Sequence, residues 1–102
     1  MAIVSKPAWS VGSIFICSKC GAKFNEPNIA EEVKTEIRRE QKANETQSKI
    51  RVIVSGCLGV CYPERQTVAY MPVSGVTEVF TTDLNKEALI QDVKALLKSK
   101  LE

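Results

Sequence analysis

Short runs of β-branched and aromatic residues alternate along the chain with two longer stretches of helical periodicity. The runs at residues 13–16, 50–54, 67–71 and 78–81 predict four strands. The second run is almost continuously apolar, which is typical of a strand buried on both faces. Helical periodicity predicts one helix after the first strand and a second at the C-terminus, so the order is β-α-β-β-β-α. This pattern predicts an α/β fold with a mixed four-stranded sheet and two helices.

The two helices have recognisable starts and apolar stripes. Asn28 is a candidate N-cap for the first helix, with Glu31 three residues further on, while Gly21 and Pro27 predict an irregular chain before it. The second helix is expected over residues 85–100. The apolar stripes are Ile29, Val33 and Ile37 in the first helix and Leu89, Val93, Leu96, Leu97 and Leu101 in the second. Each stripe predicts a face that packs on the sheet.

Length and composition are those of one globular domain. We expect residues 1–12 to form an N-terminal arm and residues 13–102 the domain, since 44% of the chain is apolar and 25% charged. The net charge of +2 excludes nucleic acid and anionic membranes as expected partners. No apolar run is long enough to span a membrane, and the N-terminal residues lack a cleavage pattern. We therefore expect the chain in the cytoplasm.

The chain contains no histidine. This absence removes histidine general acid–base catalysis, Ser–His and Cys–His nucleophile pairs, and metal centres with histidine ligands. Cysteine is then the residue type that can carry distinctive chemistry here. In the reducing cytoplasm, four cysteines more often bind metal or perform redox reactions than form structural disulfides.

The cysteines come in two pairs, each after a predicted strand. Cys17 and Cys20 follow the first strand in CSKCG, and Cys57 and Cys61 follow the second in SGCLGVC. A β-α-β unit favours parallel neighbouring strands, whose carboxyl ends lie at the same edge of the sheet. We therefore expect all four sulfurs to lie within reach of one site. Because converging thiolates repel one another unless a cation neutralises them, the arrangement predicts a metal centre.

The residue types and their spacing leave three interpretations of this site open. Four thiolates suit Zn²⁺, [2Fe–2S] and [4Fe–4S] centres alike. The first pair, followed by a glycine, resembles a zinc knuckle, whereas two local pairs on adjacent strands suit the two irons of a binuclear cluster. A third interpretation is a dithiol redox pair formed by Cys17 and Cys20. The expected delay of the first helix to about residue 28 disfavours that pair, which is normally found at the first turn of a helix.

Residues near the cysteines extend the metal-centre hypothesis. The glycines permit left-handed backbone and close approach of main-chain N–H groups to sulfur; they are Gly21, Gly56 and Gly59. Three basic side chains are candidates to offset thiolate charge: Lys19, Lys23 and Arg65. Three apolar loop residues are candidates for a rim that shields the centre or docks a partner: Leu58, Val60 and Tyr62.

The stretches VIVSGCLGVC and TVAYMP, the FIC that ends the first strand, and the Cys20-Gly21 pair resemble the thioredoxin-like [2Fe–2S] ferredoxin family. The resemblance extends from about Ser13 to Leu97. It implies a thioredoxin-like βαβ-ββα fold in which Cys17, Cys20, Cys57 and Cys61 hold a [2Fe–2S] cluster. It further implies a small electron carrier, not an enzyme by itself, that serves a redox partner protein. A homodimer is compatible with the resemblance.

Two features depart from the family pattern. Only Ser18 and Lys19 separate the first two cysteines, where relatives have a longer loop, and Tyr62-Pro63 stands where a Gly-Pro pair is common. The shorter loop covers less of the site. A four-cysteine zinc-binding structural module therefore remains the alternative to the cluster.

Overall fold

A computed structural model describes residues 3, 9–22, 27–46, 48–59 and 64–101, except for the side chain of Ala22. Four strands and three helices lie within these residues. The strands are β1 (Gly12–Cys17), β2 (Ile50–Ser55), β3 (Arg65–Pro72) and β4 (Glu78–Asp83). The helices are α1 (Ser18–Ala22), α2 (Ile29–Ala43) and α3 (Lys86–Leu101).

The strands form one mixed sheet in the order β2-β1-β3-β4. β1 pairs with β2 in parallel and with β3 in antiparallel orientation, and β3 and β4 are antiparallel. The crossover through α1 and α2 makes a βαβ unit, as in thioredoxin-like folds. The predicted α/β class and mixed sheet are confirmed, and α1 is a helix that the sequence did not predict.

The core lies between one face of the sheet and the two long helices. On β1, Ile14 and Ile16 point to this face, and neither is accessible to solvent. Both predicted helical stripes contribute to the same cluster. Their buried members are Ile29, Val33 and Ile37 of α2 and Leu89, Val93 and Leu97 of α3, with Leu96 and Leu101 partly buried. The apolar periodicity thus identified the packed faces of both helices.

The expectation that the second strand is buried on both faces is wrong. β2 is an edge strand, and its Arg51 side chain is exposed. Helix α2 supplies side chains that satisfy carbonyls of this strand: Gln41 Nε2 donates to Ile50 O at 2.8 Å, and Arg38 Nε donates to Val52 O at 2.8 Å. Covering an edge in this way limits its pairing with other chains.

Hydrogen bonds at the element ends mark the start of the sheet and of α3, whereas α2 starts without a side-chain cap. Ser10 N and Val11 N donate to Ser48 O and Lys49 O, so the chain before Gly12 already joins the fold. Asn28 is the N-cap of α2 but makes no side-chain capping hydrogen bond. The start of α3 is capped, since Ala88 N donates to Asn85 Oδ1 at 3.0 Å.

Within the described ranges, no helix has both the length and the apolar character needed to cross a membrane.

Candidate metal centre

The two strand ends that precede the cysteine pairs lie side by side. Cys17 is the last residue of β1, and its register partner is Ser55, the last residue of β2. Neighbouring strands are about 4.8 Å apart and a residue extends the chain by at most ~3.6 Å, so the Cα atoms of Cys17 and Cys57 lie within roughly 12 Å. The register of β1 with β2 confirms the predicted parallel pairing of these two strands. Cys61 lies outside the described residues.

The first cysteine pair is buried in the junction between β1 and α1. Cys17 is 0% exposed and Cys20 is 5% exposed. The Cys20 Sγ donates to Thr67 Oγ1 at 3.5 Å, a contact that joins α1 to β3. α1 begins at Ser18, so the expectation of an irregular chain is wrong for residues 18–22, whereas residues 23–26 lie outside the described ones. The argument that a delayed helix disfavours a dithiol is therefore wrong as well. A single turn is short enough to tolerate Gly21.

Two buried polar residues of β3 contact this junction, and the sequence pattern did not single them out. Gln66 and Thr67 are both 0% exposed. The Gln66 Nε2 donates to Cys17 O at 2.8 Å and to Thr67 O at 3.0 Å. The side chain of Gln66 thus holds the main chain at the point where β1 ends.

The third cysteine lies in the exposed loop after β2. The Gly59 N–H donates to Cys57 Sγ at 3.4 Å, and Gly59 has φ +84°. This is the close N–H approach that the glycine-rich loop predicted, and it would stabilise an anionic sulfur. The expectation of left-handed backbone holds for Gly59 alone, because Gly21 lies within α1 and Gly56 has no positive φ.

Gly59→Ala is expected to destabilise the protein by about 1–2 kcal/mol, because an L side chain is unfavourable at a left-handed backbone position. Gly56→Ala is the matched control, since a Cβ there meets no atom within 4 Å. We expect it to be neutral or to stabilise by up to about 1 kcal/mol. Urea unfolding of the metal-free protein measures both values. Equal effects of the two substitutions would contradict the role of the Gly59 turn.

The charged and apolar residues expected around the site are only partly within the described chain. Arg65 forms an ion pair with Asp83, with 2.8 Å between Nη1 and Oδ1, and donates to Thr81 O, so its charge is already compensated. Lys19 is exposed on α1, and Leu58 is half-buried beside Cys57. The other candidates lie outside the described residues: Lys23, Val60 and Tyr62.

The donor set suits a soft metal, although the three described cysteines do not by themselves form a ligand group. Thiolates favour zinc and iron–sulfur centres. Among residues 9–22, 27–46, 48–59 and 64–101, no three cysteine or carboxylate side chains are clustered as metal ligands. A fourth thiol, Cys61, belongs to the same loop as Cys57. The arrangement thus offers the buried thiols of Cys17, at the end of β1, and Cys20, in α1, and the exposed thiol of Cys57 in the loop after β2.

The fold defines an α/β protein with a thioredoxin-like βαβ arrangement and cysteines at adjacent strand ends. Neither the known protein-family models nor the curated proteins include a match to this chain.

Proposed function

We propose that the protein is a small electron-transfer protein in which Cys17, Cys20, Cys57 and Cys61 hold a [2Fe–2S] cluster. One observation carries the proposal: β1 and β2 are parallel and in register up to Cys17 and Ser55. Each strand end then leads into a cysteine pair on the same edge of the sheet. Two thiolates for each of two irons is the ligand count that such a cluster requires.

The surroundings of the described cysteines suit an electron carrier. When bound, the cluster supplies a one-electron redox couple close to the surface. Cys17 and Cys20 are buried, which excludes water from one side, whereas Cys57 is exposed and gives a partner access to the other. The Gly59 N–H stabilises negative charge on the Cys57 sulfur. Half-buried Leu58 is adjacent and suits a small, transient contact with a redox partner protein.

The resemblance to thioredoxin-like [2Fe–2S] ferredoxins supports the same proposal. It rests on VIVSGCLGVC, TVAYMP and FIC, which in the structure correspond to the end of β2 with its loop, β3, and the end of β1. A carrier of this kind acts in the cytoplasm and is not an enzyme by itself. A homodimer belongs to the same hypothesis.

A dithiol redox protein is the second candidate. The observation that favours it is α1, which starts directly after Cys17 and so places the Cys17–Cys20 pair at a strand–helix junction. Burial of both thiols opposes it, because a disulfide substrate must reach a sulfur to exchange with it. A zinc module would use the same four cysteines as the cluster.

Metal analysis of the full chain purified without oxygen tests the proposal. We expect a reddish-brown protein with about two irons and two acid-labile sulfides per chain, and an electron paramagnetic resonance signal that appears only after reduction. A colourless protein with one stoichiometric zinc would support the structural module. A metal-free protein in which Cys17 and Cys20 cycle between thiol and disulfide would support the dithiol.

A further inference from the structure

Three basic side chains line one groove beside the edge strand β2. The groove has a volume of about 340 Å³. Helix α2 and strand β2 supply the six described residues that line it, which are Arg38, Gln41, Lys42, Ile50, Arg51 and Val52. None of these six is acidic, and the three cations are exposed to solvent. We call this surface the basic groove.

The cations of the basic groove have no carboxylate partner within the described part of the chain. Other cations do form ion pairs, namely Lys34, Arg39, Arg65, Lys86, Lys94 and Lys100. The carboxylates of α2 are each paired with one of these other cations, and they are Glu31, Glu32, Glu36 and Glu40. The positive charge of the basic groove is therefore not neutralised by an ion pair among the described residues.

Two of the three cations are held in place by groups that carry no charge. Arg38 Nε donates to Val52 O at 2.8 Å, and within the described residues this side chain makes no other hydrogen bond, so both Nη groups remain available. The guanidinium carbon of Arg51 lies 5.7 Å from the centroid of the Trp9 ring. A side chain that is already ordered loses less entropy when it binds. Because a guanidinium group can bind a carboxylate through two parallel hydrogen bonds, these two arginines are prepared to bind carboxylates.

The hydrogen bonds at this edge also limit how a partner can bind. Gln41 Nε2 and Arg38 Nε already donate to Ile50 O and Val52 O, so an added β-strand could not use these two carbonyls. Nucleic acid and anionic membranes are bound by wider basic surfaces, and a net charge of +2 favours neither. A short run of aspartate or glutamate side chains on another protein matches three neighbouring cations.

We propose that the basic groove docks an acidic segment of a partner protein, whose carboxylates pair with Arg38, Lys42 and Arg51. Complementary charges of this kind accelerate and orient the association of two proteins. Docking at the groove requires no metal at the cysteines, so the metal-free full chain is sufficient to test it.

A synthetic peptide of alternating glutamate and serine is the probe, and a peptide of alternating glutamine and serine is its uncharged control. Nuclear magnetic resonance titration of the isotope-labelled full chain measures the affinity and locates the contact. We expect the acidic peptide to shift the amide signals of residues 38–42 and 50–52, and the control peptide to shift none of them. Added salt should weaken the binding, because it screens exposed charges.

Two double variants with the same net charge give the decisive comparison. Lys42→Gln with Arg51→Gln removes two cations from the basic groove. Lys19→Gln with Lys98→Gln removes two exposed cations that do not line it. We expect the groove variant to bind the acidic peptide about tenfold more weakly than the wild type, and the control variant to stay within about twofold of it. Arg38 is left unchanged because it donates a hydrogen bond to β2.

Equal losses of affinity in the two double variants would overturn the inference, because they would show a response to net charge alone. Tighter binding of oligothymidylate or of phosphatidylserine vesicles than of the acidic peptide would overturn it too, by assigning the groove to nucleic acid or to a membrane. Shifts of the groove signals that depend on protein concentration without peptide would assign the groove to a second copy of the chain, with the same consequence. If a double variant fails to fold, Lys42→Gln and Lys98→Gln give the same comparison as single substitutions.

Discussion

Cys57→Ser is expected to abolish iron binding while leaving the stability of the metal-free protein almost unchanged. Serine replaces a soft thiolate by a hydroxyl that is a poor ligand for iron, so the bound iron should fall from about two per chain to near zero. Because Cys57 is exposed, the free energy of unfolding should change by less than about 0.5 kcal/mol. Iron analysis after anaerobic reconstitution and urea unfolding of the metal-free chain measure the two effects.

Substitution of Cys57 separates iron binding from protein stability better than substitution of Cys17 does. Cys17 is fully buried, so a serine hydroxyl there would need a new hydrogen-bond partner and would destabilise the fold by about 1–3 kcal/mol. Leu58→Ala is the matched control, since it changes the adjacent loop residue and should retain the iron. A Cys57→Ser variant that keeps two irons would rule out the four-cysteine cluster. One that lacks metal but still oxidises Cys17 and Cys20 reversibly would support the dithiol.

The topology and the alignment of the strand ends could be predicted from the sequence because they follow from strong, regular signals. Apolar spacing identified the packed faces of α2 and α3, and the β-α-β order required β1 and β2 to be parallel. Given that pairing, the strand ends at Cys17 and Ser55, which precede the two cysteine pairs, lie at one edge of the sheet. This part of the site prediction depended on topology and not on any side-chain detail.

The features that were missed have weak or ambiguous signals in the sequence. Helix α1 has only five residues, too few for a helical period, and contains Gly21. Strand β2 has the composition of a central strand, but it lies at the edge of the sheet, where its carbonyls accept hydrogen bonds from Gln41 and Arg38 of α2. Edge or central placement is a tertiary property that the composition of a single strand does not determine.

The polar contacts to Cys17 and Cys20 could not be predicted from the sequence for a similar reason. Gln66 and Thr67 follow Arg65 in a polar stretch that resembles the solvent-exposed end of a strand. They are buried because α1 and its cysteines lie against β3, at a sequence separation of 47 residues between Cys20 and Thr67. No periodicity within β3 carries that information.

Ile16→Ala is expected to lower the free energy of unfolding by about 2–5 kcal/mol. Ile16 is fully buried on the central strand β1, with Val54 and Val68 as its register partners on the two neighbouring strands. A cavity there cannot be filled easily, because both flanking strands are fixed by the sheet. Since domains of this size are stable by only about 5–15 kcal/mol, the loss would be a large part of the total. Urea unfolding of the metal-free chain measures it.

Ile53→Ala is the matched control, because Ile53 is half-buried on the edge strand β2. This substitution should lower the free energy of unfolding by less than half as much as Ile16→Ala. Equal losses of unfolding free energy at the two positions would contradict the assignment of the core to the face of β1 that packs on α2 and α3.

Ile16 also directly precedes Cys17, but side chains alternate along a strand, so the two point to opposite faces. Folded Ile16→Ala should therefore still bind iron, whereas Cys57→Ser should lose iron and keep its stability. The opposite behaviour of these two variants separates the fold from the cysteine site, because a metal site that merely reported on global folding would be lost in both.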